Sequence, residues 1–182
     1  MALSDDQGRH LASLTERHRA VLGPDVDAYL GHVRRVLAFH EMLAGEPPSD
    51  GVLVAAFFHD LGIWTEGTND YLAPSAAAAR DYLAELAGEA DVETIVAMIE
   101  WHHKLLPFKG PIEGIDGEAV ERFRKADLVD FSWGLYSAGL PRARVREVFR
   151  AEPPGSFRRW LVGLIGGWLL HNPTRPFPVV RL

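Results

Sequence analysis

The sequence contains no cysteine, and strand-like segments are nearly absent from it. The lack of thiols excludes cysteine-ligated zinc sites, thiol nucleophiles and disulfide bonds, and it fits a reducing cytoplasm. The longest apolar run, WLVGLIGGWLL over 160–170, is much shorter than the roughly 20 residues of a membrane-spanning helix. The N-terminal segment MALSDDQGRH lacks the basic start and the apolar stretch of a signal peptide. We therefore predict a cytoplasmic protein that has no membrane partner.

The chain also lacks a large excess of either charge. It has 19 Lys and Arg against 25 Asp and Glu, a net charge of −6, and the two signs are interspersed. A protein that coats nucleic acid carries a basic stripe instead, so the predicted partner is a small-molecule substrate and not a nucleic acid. A length of 182 residues is sufficient for one domain with its own core. The apolar closing segment packs either within the chain or against a second copy, so a homodimer stays open.

What the sequence does have is helical periodicity. We predict an all-α, single-domain bundle over 1–182 with a core over about 25–133. Its first helix is capped by Ser4 and ended by Gly23-Pro24, its second begins at Asp25 or Asp27, and its third runs from about Val52 to the His59-Asp60 pair. After a loop over 65–74, helices are predicted over about 75–87, 91–105 and 118–135 and from about 141 and 156, followed by an extended proline-rich tail.

His59 and Asp60 stand side by side at the end of an apolar run, AAFFHDLGIW. A helix that is apolar on nearly every face is buried. Two ionisable side chains at its end need partners, because burying them unpaired costs several kcal/mol. Imidazole nitrogen and carboxylate oxygen both bind divalent cations. A dipeptide occurs easily by chance, so the prediction of a metal site depends on the rest of the chain.

Two other predicted helices carry metal-competent residues beside apolar faces. His32 lies one helical turn from Val36, and Asp127 lies four residues after Phe123 and shares its face. For His32 alone, a polar residue on a helix shoulder is the simpler interpretation; in combination the residues favour ligation. Two imidazoles and two carboxylates suit one six-coordinate divalent ion, with Mn, Fe, Co, Mg and Zn as candidates.

The order and surroundings of these residues resemble the HD-domain superfamily of metal-dependent phosphohydrolases. The motifs are GHVRRVLAF with His32, AAFFHDLGIW with His59 and Asp60, and KADLVDF with Asp127. They cover roughly 25–133. The resemblance implies a helical bundle built around a metal ion, with these four side chains as its ligands.

The chain also departs from that pattern. Many members follow the pair with Gly-Lys, whereas Gly62 precedes Ile63 here. Members with two metals have two further, well-separated histidines before the late Asp. Here His102 and His103 are adjacent, and neighbours on a helix diverge by about 100°. We therefore predict one metal ion.

Several residues are candidates for the catalytic steps. Asp60, or Glu66 or Asp70 in the loop after the pair, is a candidate to take the proton of the attacking water, as an acidic residue does in some similar members. A solvated turn explains the two loop acids equally well. His102 shares the apolar face of its helix, where it either orients substrate, binds phosphate as imidazolium, or is an ordinary core histidine.

Lys104 and Arg35 are the candidate substrate-binding cations, although solvated helix faces account for most such residues.

These residues are compatible with three functions. The first is hydrolysis of a small phosphorylated metabolite or nucleotide by metal-activated water. The second is hydration of a small nitrile-like substrate, as in the similar cyanamide hydratase, and the third is a non-catalytic, metal-stabilised binding module. A wide pocket with several cations favours the first and a narrow apolar cavity the second. A closed metal site favours the third.

Overall fold

A computed structural model describes residues 3–66, 70–86, 91–104, 106–109 and 111–154. Throughout these ranges the regular elements are helices and no strand occurs, which confirms the all-α class. They are α1 (Asp5–Leu22), α2 (Val26–Ala44), α3 (Asp50–Phe58), α4 (Gly62–Glu66), α5 (Leu72–Glu85), α6 (Val92–Trp101), α7 (Gly117–Phe131) and α8 (Arg142–Ala151), with a 3-10 turn at Gly23–Asp25. The helix predicted from about 156 and the tail lie outside the described residues. No helix of the described part is long and apolar enough to cross a membrane.

Side-chain caps set the first helix boundaries. The Ser4 hydroxyl accepts a hydrogen bond from the Gln7 N–H at 3.1 Å, and the Gln7 side chain accepts one in return from the Ser4 N–H. Gly23 ends α1 with a φ of 53°. Ser49 caps α3 in the same way through the Val52 N–H. The predicted bounds of the first three helices are confirmed to within a few residues.

The core is centred on α3, which is buried on all sides. Every residue from Val52 to Phe58 is shielded from solvent, and α3 contacts α1, α2, α5 and α6. The Tyr29 hydroxyl of α2 donates a hydrogen bond to the Phe57 carbonyl near the end of α3. Helix α7 packs along α2 and α6. The end of α3 is therefore held deep inside the bundle, where α2 and α7 can reach it.

Gly62 allows α4 and α5 to approach closely just after the central pair. A Cβ atom at this position would lie 2.5 Å from the Tyr71 carbonyl oxygen and 2.9 Å from Ser75 Oγ. The Gly62 N–H instead donates a 2.9 Å hydrogen bond to Ser75 Oγ. This contact fixes the chain that follows Asp60 against α5.

The predicted bounds of three segments were wrong. The loop expected over 65–74 is shorter, because α4 continues to Glu66 and α5 begins at Leu72; proline is tolerated in the first turn of a helix. Helix α6 ends at Trp101 instead of 105. Helix α7 ends at Phe131, since Trp133 and Gly134 have left-handed φ values of 57° and 74°.

Candidate metal centre

Four of the predicted side chains meet at one point inside the bundle. His32 comes from α2, His59 and Asp60 follow α3, and Asp127 comes from α7; each residue is at most 6% exposed. The Nε2 atoms of His32 and His59 lie 2.8 Å apart. Each of these atoms lies 3.4 Å from Asp60 Oδ2 and 3.6 or 3.7 Å from Asp127 Oδ1. The fold therefore brings together residues separated by almost a hundred positions.

These separations suit the ligands of a single divalent ion. Two ligand atoms at right angles around an ion, each about 2.1 Å from it, are about 3 Å apart. His32, His59 and Asp60 each offer one ligand atom, and these atoms lie within 4.8 Å of one another. Asp127 adds a second carboxylate, whose other oxygen, Oδ2, is buried without a hydrogen-bond partner in the described part of the chain. The four residues therefore fit a metal ion that the fold would hold between α2, α3 and α7.

The tautomers of the histidines provide a second argument for a cation. His59 Nδ1 is 2.8 Å from the Ala56 carbonyl oxygen, which can only accept, so this nitrogen carries the proton. His32 Nδ1 donates in the same way to Asp130 Oδ2 at 2.6 Å. In the neutral rings both Nε2 atoms then carry lone pairs, and these face each other at 2.8 Å. Such a contact is favourable only when a positive charge lies between them.

The electrostatics of the site also favour positive charge. Burial opposes protonation, but the carboxylates of Asp130 and Asp60 raise the pKa of His32 to about 10. Burial alone would raise the pKa of Asp60, yet the neighbouring His59 and His102 hold it well below its usual value. Asp60 is thus an anion at neutral pH. The site as a whole attracts a proton, and a bound divalent ion would take the place of that proton.

Asp130 supports the centre from behind. Besides accepting from His32, it receives two hydrogen bonds from the Arg35 guanidinium, at 2.5 Å from Nε and 3.0 Å from NH2. Arg35 is 2% exposed and also donates to the carbonyls of Glu152 and Pro153. These contacts engage its donors and hold Asp130 in place; the predicted role of Arg35 in substrate binding stays a prediction. Asp130 lies about one helical turn after Asp127. This spacing in the sequence indicates that the two carboxylates share one face of α7.

His102 and His103 both point towards the second oxygen of Asp60. Their Nε2 atoms lie 3.3 and 3.9 Å from Asp60 Oδ1, and the three residues form a second group that can hold a metal ion. The two rings lie 4.0 Å apart from centre to centre, although His102 keeps a helical φ of −58° at the end of α6. His102 Nδ1 donates to the Ile99 carbonyl at 2.6 Å. The Tyr71 hydroxyl is hydrogen-bonded to His103 Nε2, a contact that no sequence pattern indicated.

The remaining candidates lie away from the metal centre. Glu66 ends α4 and Asp70 precedes α5, and both are exposed. The Lys104 ammonium lies 5.8 Å from the centre of the Trp101 ring. Among the described residues, none of the three lines the cavity at the metal centre. Of the predicted catalytic residues, Asp60 and His102 lie beside the point where the four candidate ligands meet.

The cavity that reaches the centre is small, about 30 Å³. Its walls include the aromatic side chains of Tyr71, Phe131 and Trp133. In the described part of the chain, Arg35 is the one Lys or Arg that lines it, and Arg35 is bound to Asp130. The opening therefore suits a small substrate or a small group of a larger one.

Comparison with known families agrees with this geometry. The HD domain family matches residues 29–131, more than half of the chain. The matched range contains His32, the His59-Asp60 pair and Asp127. No curated protein and no solved structure matches the chain significantly. The family match and the buried His/Asp cluster together show that the chain belongs to the HD-domain family, in the superfamily of metal-dependent hydrolases.

Proposed function

We propose that the protein hydrolyses a small phosphorylated metabolite or nucleotide with water activated at the HD centre. The observation that carries the proposal is the convergence of His32, His59, Asp60 and Asp127, with imidazole lone pairs and carboxylate oxygens turned to one point. The phosphohydrolase class rests on the superfamily, whose members are mostly phosphohydrolases. The narrow cavity limits the substrate to one whose reacting group is small.

The four residues would hold one divalent ion, which when bound lowers the pKa of a water and polarises the bond under attack. Asp60 has a second role. Its Oδ1 atom has no hydrogen-bond partner in the described part of the chain, so it is available to accept the proton of the attacking water. His102, with its Nε2 atom 3.3 Å away, is placed to share that proton. Tyr71 orients His103 at the cavity wall through their hydrogen bond.

The test is phosphate release from a panel of nucleotides and sugar phosphates with Mn²⁺ or Co²⁺ added. We expect turnover of at least one member, and we expect Asp60→Asn to reduce it by at least about a hundredfold, since it removes the base and a ligand. Glu66→Gln is the matched control and retains activity because Glu66 is exposed outside the cavity. Loss of activity in Glu66→Gln with full metal content would assign the base to the loop instead.

A second candidate is hydration of a small, uncharged nitrile-like compound. The observation that favours it is the cavity itself, which has aromatic walls and, among the described residues, a single lining cation, Arg35, that is already bound to Asp130. A phosphate dianion would gain little from such walls, whereas a linear neutral molecule would fit between them. Release of amide or urea product from a cyanamide and nitrile panel, without phosphate release from the first panel, selects this function. Metal binding without turnover on either panel leaves a metal-stabilised binding module.

A further inference from the structure

A second cavity, of about 680 Å³, lies beyond the metal centre along α2 and α7. On α2 it is lined by His40, eight residues or about 12 Å along the helix from His32. On α7 it is lined by Arg122, which precedes Asp127 by five residues. The residues of the metal centre do not line it. The cavity is thus a separate site that shares two helices with the HD centre.

His40 is buried in the wall of this cavity with its hydrogen-bonding groups unused. The residue is 5% exposed, and neither ring nitrogen has a hydrogen-bond partner in the ranges that the structure describes. Buried polar groups are nearly always hydrogen-bonded. Burial and the nearby Arg122 lower the pKa of His40 to about 4. At neutral pH it therefore offers one donor and one acceptor to a ligand.

Most of the charged side chains around the cavity already have hydrogen-bond partners within the protein. Asp91 and Asp116 accept backbone N–H groups at the starts of α6 and α7, and Asp50 accepts from a glutamine of α1. Arg122 differs, because its Nε atom is buried without a hydrogen-bond partner among the described residues. Glu46 is exposed and has no hydrogen bond or ion pair within that same part of the chain. One positive and one negative group therefore remain for a ligand.

Apart from the hydroxyl groups of Ser49 and Thr94, the rest of the wall is apolar. Val52, Ile95 and Met98 line the cavity between the charged positions. A lone anion such as phosphate is disfavoured, because four carboxylates face the same space and repel it. A lone cation would leave the buried Nε–H group of Arg122 without an acceptor. A ligand that carries both charges and an apolar part satisfies all of these groups together.

We propose that this cavity binds a small zwitterion with a carboxylate, an ammonium group and an apolar side chain, the chemistry of a free aliphatic amino acid. Arg122 and the His40 N–H donate to the carboxylate, Glu46 pairs with the ammonium group, and Ile95 and Met98 contact the side chain. The site is independent of the reaction at the metal centre and does not rest on the proposed substrate.

The binding test is calorimetric titration of the full-length, metal-loaded protein with a panel of free L-amino acids. We expect saturable 1:1 binding of at least one aliphatic member with a Kd below about 1 mM. Acetate and ethylamine each supply one of the two charges, so both should bind at least about tenfold more weakly. Phosphate binding more tightly than every amino acid, or no saturable binding of any amino acid, would overturn the proposal.

Substitutions in the wall of the cavity test whether the amino acid binds there. Arg122→Gln and Glu46→Gln should each weaken it by at least about tenfold, the loss of one charge-assisted hydrogen bond. Arg142→Gln and Glu113→Gln remove the same charges at exposed positions and should bind like the unaltered protein. Glu46 is exposed, so its variant should fold normally, and metal content checks this. Binding that survives both cavity substitutions, as binding at the metal ion would, contradicts the assignment.

Discussion

At the scale of single residues, the metal centre depends on how its histidines are held. His32, His59 and His102 each donate through Nδ1 to an oxygen behind them, which turns each Nε2 lone pair inward. For His59 and His102 the acceptor is the carbonyl three residues earlier, at the end of a helix. For His32 it is Asp130, which is itself fixed by Arg35. Such outer hydrogen bonds orient metal ligands and raise their basicity.

Asp130→Asn tests this support. The substitution keeps the size of the side chain but removes the charge that both His32 and Arg35 face. We expect the affinity for Mn²⁺ or Co²⁺ to fall by about 10- to 100-fold, measured by competition with a chelator. Asp27→Asn, on the exposed side of α2, is the control and should leave the affinity unchanged. Equal affinities in the two variants would show that Asp130 does not position His32.

The number of metal ions is also decided by single residues. His59→Ala should remove stoichiometric metal, because it deletes a ligand that faces His32, Asp60 and Asp127 together. His103→Ala should retain one ion per chain, since the His103 Nε2 atom lies 3.9 Å from the second oxygen of Asp60 and is hydrogen-bonded to Tyr71, away from the point where the four ligand atoms meet. Elemental analysis of the purified variants measures both. Two ions in the unaltered protein and one in His103→Ala would instead establish a second metal at His102 and His103.

At the scale of elements, the close contact between α4 and α5 is possible because glycine at position 62 has no side chain. Gly62→Ala would place a Cβ atom 2.5 Å from a backbone oxygen, which cannot move aside as a side chain can. We expect a loss of about 1–3 kcal/mol in the free energy of unfolding, measured by urea denaturation. Gly8→Ala is the matched control. Gly8 is exposed on α1 and has nothing within 4 Å of its Cβ position, so alanine there should add roughly 0.5–1 kcal/mol. A loss in both variants would refute the steric explanation.

The sequence predicts those elements whose signals are local. Ser4, Gly23 and the apolar run before His59 set the first three helices, and the structure has them nearly where the caps indicate. The ends of α6 and α7 were missed, because they depend on tertiary contacts such as the burial of His102. The pairing of Arg35 with Asp130 was missed for the same reason: the partners are 95 positions apart, and periodicity carries no information about such a distance. The family motifs predicted the candidate ligands, while the tautomers that orient them follow only from the three-dimensional structure.

At the scale of the whole molecule, the burial of polar groups makes stability depend on pH. His40 is neutral in the folded protein down to a pKa of about 4, because burial and Arg122 disfavour its charged form. In the unfolded chain its pKa is near 6.5. Between these values the unfolded state binds more protons than the folded state, so stability falls as the pH decreases. The whole interval corresponds to roughly 3 kcal/mol.

His40→Met isolates this contribution, because every other titrating group is common to both proteins. The unbranched apolar side chain fills a similar volume and has no polar atom that needs a partner. We expect the variant to be at least as stable as the unaltered protein at pH 7, and to gain a further advantage of about 2 kcal/mol as the pH falls to about 4.5. Urea denaturation at a series of pH values measures the difference. If the two stability curves run parallel from pH 7 to pH 4.5, the pKa of His40 is the same in the folded protein as in the unfolded chain, and burial and Arg122 do not lower it.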